Sequence, residues 1–469
     1  MMRKYVALLA LAIFLSAVSN TPVSYADGLL PPETMAPTVL VGLFESDEVT
    51  LTCQSPFQMR GSGSAVTLAA NAAVRFRAQG NQVVAEAPGT GGATGTGALA
   101  VIPASNTAGA FITVKEHLGA DCPSAGNSYA GSILVMAQGG RLCVANLVDV
   151  ESYVKSVVSS EMPDLWPEEA LRAQAVAVRS YLLHKLQMSR TPGFGLPDYG
   201  EYSSLTPAHI GIWATDQIYK GVKAQRENAV DATEYTRGQV LTYGALPAAA
   251  YFHAAAHGMT EDVSNVWGAT VPYLISVAEE PYESPYGSWT VVFSEKDLAT
   301  PLSSLGVVGP ISRVSGCDSG QSGRWCGVNV RGALGEVRLK GTDFRRVLGQ
   351  PLRSLLFSTY MRGGGQNSTA DINPALTAWV TDGIGKRQET AKDLFIQGGG
   401  GILSTGDSGL RALSGSVEEG PVTFTFEGKG WGHGVGLSQW GARALALIGE
   451  DHPSILSRYY PGTALELWW

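Results

Sequence analysis

The sequence predicts an α+β fold in which mixed, strand-rich regions surround a central pair of helices, with a substrate groove at the elbow between them. Three observations lead there. Residues 37–147 alternate apolar and polar positions between turn residues, the pattern of hairpin-linked strands. Asp149 to Lys185 carries helical periodicity on both sides of a proline-containing joint. Strand-like runs return after the helices, in GQVLTYG, AAAYFHAAAHG and PYLISV.

Taken in order, Met1 to Ala26 has the layout of a secretory signal. Arg3 and Lys4 precede an apolar run from Tyr5 to Val18, and Ser24-Tyr25-Ala26 offers a small-x-small cleavage site. An exported product is expected, in a periplasm, cell wall or extracellular space. No lipoprotein-type cysteine follows the run, and no later stretch has the length of a membrane span. Losing Arg3 and Lys4 takes the formal charge from −8 to −10, which argues against nucleic acid as the main partner and leaves a neutral polymer compatible. The hydrophobic content of 45% is ample for packed cores. The strands that follow carry no catalytic constellation and read as scaffold or ligand grip.

In the first helix Asp149 is the expected N-cap, and Val154, Val157 and Val158 form one buried face. Glu161 lies four residues after Val157 and three after Val158, in phase with that face. Pro163 stops the helix just beyond it, so burial and the negative helix end both favour the protonated acid. Such a carboxyl can exchange a proton near neutral pH. The second helix starts near Pro167, with Glu168 and Glu169 in its first turn and His184 and Lys185 in its last. Leu171, Ala175, Val178, Leu182 and Leu186 make its apolar stripe, and Arg172 and Arg179 line a neighbouring row. A partly exposed acid and a solvated arginine face are the plainer alternative.

Beyond the helices, AQRENAVDATEY reads as a short helix, and residues 290–358 as strands ending in a helical piece at FRRVLGQPLRSLLF. His253, His257 and Glu261 share a spacing of four and could hold zinc. They lack the glutamate beside the first histidine that H-E-x-x-H provides, and polar groove-lining residues are the alternative. From Met361 to about Gly420 the GGG and GGGG tracts predict loops around a short ordered middle at ALTAWV and KDLFI. Glycines 428, 430, 432, 434 and 436 then precede a helix from about Ser438 to Ile448, stopped by Gly449. Alternate glycines allow close approach of another segment or a substrate. Trp431 and Trp440, around His433, are candidates for sugar stacking or for packing. Of the five cysteines, Cys317 with Cys326 and Cys122 with Cys143 are candidate pairs, leaving Cys53; unpaired thiols are the alternative.

These blocks resemble the stage II sporulation protein D family, SpoIID, with the related LytB amidase enhancers. The resemblance is carried by VESYVKSVVSSEMPDLWPEEALRAQAVAVRSY, TDQIYKG, YFHAAAHGMTEDVSNVWGATVPYL, GKGWGHGVGLSQWGARALA and ILSRYYPGT, in family order. It implies a peptidoglycan lytic transglycosylase that cleaves between N-acetylmuramic acid and N-acetylglucosamine in glycan stripped of stem peptides, leaving a 1,6-anhydro end. The family's catalytic acid falls on Glu161. Ordinary glycosidases use two carboxylates, but here the attacker is the sugar's own C6 hydroxyl, so one residue acts first as acid and then as base. Arg172 and Arg179 are expected to orient substrate, and Tyr181, His253, Tyr273, His433 and Gln439 to line the groove.

The expected domains are then 1–26 as signal peptide and 27–140 as an N-terminal β-rich region, both read from the residues, with 141–359 as the core that the resemblance implies. Residues 360–420 are then a Gly-rich insertion longer than the family needs, and 421–469 complete the core. No cofactor is expected. Some members bind zinc through C-x4-H-C-Q, where this chain has Ile210, Thr215, Asp216 and Gln217, so no metal is assigned. His257 stands where a glycine is usual, and the N-terminal repeats of some enhancers are not visible. A non-catalytic enhancer that binds peptidoglycan or a cell-wall amidase is the second reading.

Overall fold

The computed structural model describes residues 36–469, apart from 62–63, 88–92, 97, 105–109, 119–125, 191–209, 212–215 and short stretches between 365 and 419. The expected signal peptide and Cys122 lie outside the described residues. The chain is mixed α+β, its strands gathered in several sheets. It divides into two compact units, one of Met1–Ala249 with Ala464–Trp469 and the other of Ala250–Thr463. The division falls inside the 141–359 stretch expected as one core.

In the first unit a seven-stranded and a six-stranded sheet carry the hairpins that the alternation predicts. Every second residue of Glu48–Cys53 is buried, the period of a strand with one apolar face. Val49, Leu51, Val74, Phe76 and Val83 of the smaller sheet, and Val101, Ile133, Val135 and Val144 of the larger, are fully buried. Thr38–Ser46 runs antiparallel to Arg141–Asp149, with Thr38 opposite Asp149. That second strand passes directly into helix α1, Val150–Glu161, so the sheet sets where the helix starts. Asp149 is the N-cap, its Oδ1 accepting the Ser152 N–H at 2.9 Å. Tyr153, Val154, Val157 and Val158 form the buried face. Met162, ahead of Pro163, turns extended at φ −123° and ψ 145° and ends the helix at Glu161.

Helix α2, Glu168–Arg190, buries Leu171, Ala175, Val178, Leu182 and Leu186, the stripe that the spacing predicts. The elbow between the helices is latched to helix α3, Glu227–Tyr235. Asp164 Oδ1 accepts the Ala229 N–H at 3.0 Å, capping a helix whose own N-cap, Arg226, supplies no side-chain acceptor. The strand Gln239–Tyr243 follows and pairs with the C-terminal Ala464–Leu467.

The second unit is built around Trp289–Ser294, Thr423–Gly428, Phe357–Arg362 and Thr369–Asp371, adjacent in that order in one sheet. The hairpins Arg313–Ser319, Trp325–Gly332 and Gly335–Lys340 add a second sheet, and the core includes Phe344, Phe357, Phe424 and Phe426. The helical piece seen in FRRVLGQPLRSLLF is confined to Gly341–Leu348, because Gly349 takes φ +71° and breaks it. Between 361 and 420 the ordered middle expected at ALTAWV and KDLFI falls in short antiparallel pairs, Thr377–Asp382 with Gly385–Thr390 and Phe395–Gly398 with Gly401–Ser404, the partner strands lying in stretches expected as loops. Gly398 and Gly401, the two ends of the GGGG tract, are the last pair of the second hairpin. Cys317 and Cys326 are free thiols, correcting the expected disulfide. Cys317 lies opposite Gly327, so Cys326 points to the other face of its strand. Cys53 is a free, buried thiol, and the expected pairing of Cys143 with Cys122 lies outside the described residues because of Cys122. Among the described residues no helix is long and apolar enough to cross a membrane.

Candidate functional site

The first unit places Glu161 at the last residue of α1, half-buried, where the chain leaves the helix. Its Oε1 accepts the backbone N–H of Ile218 at 2.9 Å. The helix terminus fixes the backbone and this amide fixes the carboxylate, so one proton-carrying group is held at an elbow. The burial expected from periodicity is therefore partial.

Ile218 belongs to a run held down residue by residue. Asp216 Oδ1 accepts from Tyr181 Oη at 2.9 Å and pairs with Lys185 Nζ at 3.0 Å, both on α2. Gln217 Oε1 accepts from Tyr153 Oη at 2.9 Å, and Tyr219 Oη donates to Asn146 at 2.6 Å. Lys220 N–H donates to Ser156 Oγ at 3.2 Å, and that hydroxyl donates to the Gly221 carbonyl. Burial, Asp216, Tyr219 and Glu161 together hold the Tyr153 hydroxyl well above the usual tyrosine range. Sequence reasoning quoted TDQIYKG without seeing that it delivers an amide to Glu161.

The two arginines expected in one cationic row part company. Arg172 bonds to Glu168 and Glu169 on its own helix and lies 3.7 Å over the Tyr235 ring. Arg179 is fully buried, and the expected direct contact with substrate is corrected. Its Nε and Nη2 donate to Glu151 at 3.0 and 2.7 Å, and Nη1 donates to the Gln239 carbonyl at 3.0 Å. Glu151 also accepts from Gly238 N–H and from Trp469 Nε1, each at 3.1 Å. This pair ties α1, α2, the central strand and the C-terminal residues together and leaves no donor facing water. Tyr181, also expected at the groove, is 4% exposed with its hydroxyl on Asp216.

In the second unit the glycine-rich segment lies against residues 251–256. A Cβ at Gly436 would sit 2.0 Å from the Tyr251 carbonyl, and one at Gly432 would sit 2.7 Å from His253 Cβ. The alternate glycines thus admit another stretch of chain. His433 is half-buried, its ring centroid 5.0 Å from Trp267, 5.5 Å from His253 and 6.3 Å from Tyr251. Its Nδ1 accepts the Val435 N–H at 3.0 Å. His253, Tyr273 and Gln439, the other expected lining residues, are 4%, 6% and 6% exposed. Trp431 stands edge-on to Tyr286 with Arg353 5.4 Å from its ring, and Trp440 carries Arg443 at 5.2 Å, so both indoles are engaged in packing.

The zinc alternative finds its three side chains dispersed among separate partners. His253 Nδ1 meets the Val435 carbonyl at 3.1 Å, and His257 Nε2 meets Ser284 Oγ at 2.6 Å. Glu261 accepts from Ser322 and Asn265. His257 takes φ +59°, a conformation that glycine adopts without strain. Among the described residues no group of three or more potential ligands could hold a metal.

Burial, with Arg345 and Arg324 beyond it, pushes His433 down to about 3, and burial, Lys429 and Arg324 push His257 down to about 4. Both rings fold neutral, whereas unfolded histidine takes a proton below about 6.5. Their contribution is present above that value and lost as pH falls toward 4, with a slope of at most about 1.4 kcal/mol per pH unit for each ring. Unfolding midpoints measured from pH 7 to 4 are expected to fall, and to fall less steeply in His257→Asn. A flat profile contradicts this.

The stage II sporulation protein family, SpoIID, matches residues 138–243, the segment that holds Glu161, Arg172, Arg179 and Ile218. The chain is 31% identical over 330 residues to an amidase enhancer of Bacillus subtilis, covering 66% of this chain and 40% of that protein. It is 25% identical over 328 residues to the stage II sporulation protein D of Bacillus subtilis, covering 68% and 74%. Residues 138–243 thus carry a SpoIID segment, within a chain similar to proteins named for sporulation and for amidase enhancement. An uncharacterised protein of Brachyspira hyodysenteriae is 26% identical over 339 residues, 72% of each chain. The match to the amidase enhancer thus spans well under two thirds of that protein's length. Within the SpoIID-matched segment, Glu161 is a half-exposed acid at the helix elbow, while Glu151 is closed off by Arg179.

Proposed function

We propose that the protein is an exported peptidoglycan lytic transglycosylase, with Glu161 as its general acid and base. The observation that carries this is a single half-buried carboxylate at the end of α1, aimed by the Ile218 amide. Glu161 protonates the glycosidic oxygen between N-acetylmuramic acid and N-acetylglucosamine. It then takes the proton of the C6 hydroxyl as that oxygen closes on the anomeric carbon, so the proton balance returns to its start without water or a second carboxylate. The elbow beside Glu161 forms the wall of the substrate groove, and Arg172 faces the sugar from α2. Arg179 acts only by holding α1 against α2. In the second unit, the exposed ring of Trp267, packed against His433, offers a surface on which a sugar face stacks.

The likeness to an amidase enhancer favours a second reading, in which the protein binds peptidoglycan or a cell-wall amidase and stimulates it without cutting glycan. Stripped glycan strands incubated with the purified protein separate the two. Release of anhydro-ended fragments that stops in Glu161→Gln supports the enzyme. Intact strands, together with amidase stimulation that survives Glu161→Gln, support the enhancer.

A further inference from the structure

We infer that Asp216 is a positioning residue for Glu161, working through the backbone amide of Ile218. Asp216 lies two residues before the amide, and its carboxylate is clamped from α2 by the Tyr181 hydroxyl at 2.9 Å and the Lys185 ammonium at 3.0 Å. The Lys185 and Asp216 side chains are 5% and 10% exposed, so the clamp is shielded from salt and solvent. Between clamp and amide, Gln217 is anchored to Tyr153 of α1 and to the Val178 carbonyl of α2. The stretch is thereby fixed to both helices, and its N–H meets the Glu161 carboxylate at the place where α1 ends. An N–H held this way stabilises the ionised carboxylate. Asp216 touches no substrate in this arrangement; it sets how firmly that amide is presented.

The inference rests on the reading of Glu161 as the acid and base, so its test includes a measurement independent of turnover. In the full-length protein labelled with 13C at glutamate side-chain carboxyls, the Glu161 resonance, assigned by its loss in Glu161→Gln, is followed through a pH titration. Asp216→Asn keeps the shape and the hydrogen bond from Tyr181 but removes the charge that holds Lys185. Its Glu161 midpoint is expected to move up by about one pH unit as the amide loosens. On stripped glycan, kcat is expected to fall about tenfold with KM changed less than twofold. Tyr181→Phe, which deletes one clamp hydrogen bond and leaves the ion pair, is expected to move the midpoint in the same direction by less, and serves if Asp216→Asn does not fold. Glu161 titrating as in the parent protein in the folded variants overturns the inference. A parent protein that cleaves no glycan defeats the enzymatic reading, while the titration still decides whether Asp216 positions Glu161.

Discussion

Glu161→Gln is expected to reduce release of anhydro-ended glycan by about a thousandfold, within the range that positioned acid and base groups contribute. Glutamine keeps the length and the acceptor that receives the Ile218 N–H, so α1 keeps its end and the elbow keeps its shape. It can neither donate a proton to a leaving oxygen nor remove one from a C6 hydroxyl. The unfolding midpoint should therefore stay close to that of the parent while turnover collapses. A variant that retains a tenth or more of the activity would mean that another group moves the proton.

Arg179→Met should be the most damaging single change to the first unit, costing about 3–5 kcal/mol of stability. Removing the guanidinium takes the counter-charge from Glu151, whose side chain is 2% exposed, and one donor from the Gln239 carbonyl. The double variant Glu151→Met with Arg179→Met should recover much of that loss, because two apolar side chains replace a buried charge that has lost its counter-charge. Denaturant unfolding of the parent, both single variants and the double variant measures the coupling. A loss under 1 kcal/mol in Arg179→Met would show that the pair does not hold the unit together.

Much of the helix pair was legible because its signals are local. Asp149 at the start, Pro163 after the end, and valines at helical spacing fix α1 whatever surrounds it. The phase of Glu161 came from the same periodicity, but its partial exposure did not, since exposure depends on what packs against a helix end. Arg179 was misjudged for a related reason. Two arginines a constant distance apart look like one cationic row, yet Arg172 has Glu168 and Glu169 one turn before it, whereas Arg179 has Ala175, Val176, Leu182 and Leu183 around it. A charge at the centre of an apolar patch was the signal of a buried pair. The partner, Glu151, lies 28 residues away and no local rule finds it. The Ile218 amide was illegible for the same reason, being a backbone group brought to Glu161 across 57 residues. The disulfide expectation failed because spacing of cysteines does not give strand register, which sets Cys317 opposite Gly327.

Mass spectrometry of sugar ends released from stripped glycan by the wild-type protein tests the central claim most directly. The expected product ends in 1,6-anhydro-N-acetylmuramic acid, lighter by one water than a hydrolysed end, and it is absent with Glu161→Gln. Reducing, hydrated ends, or strands left whole while an added amidase is stimulated, would contradict an intramolecular closure driven by Glu161.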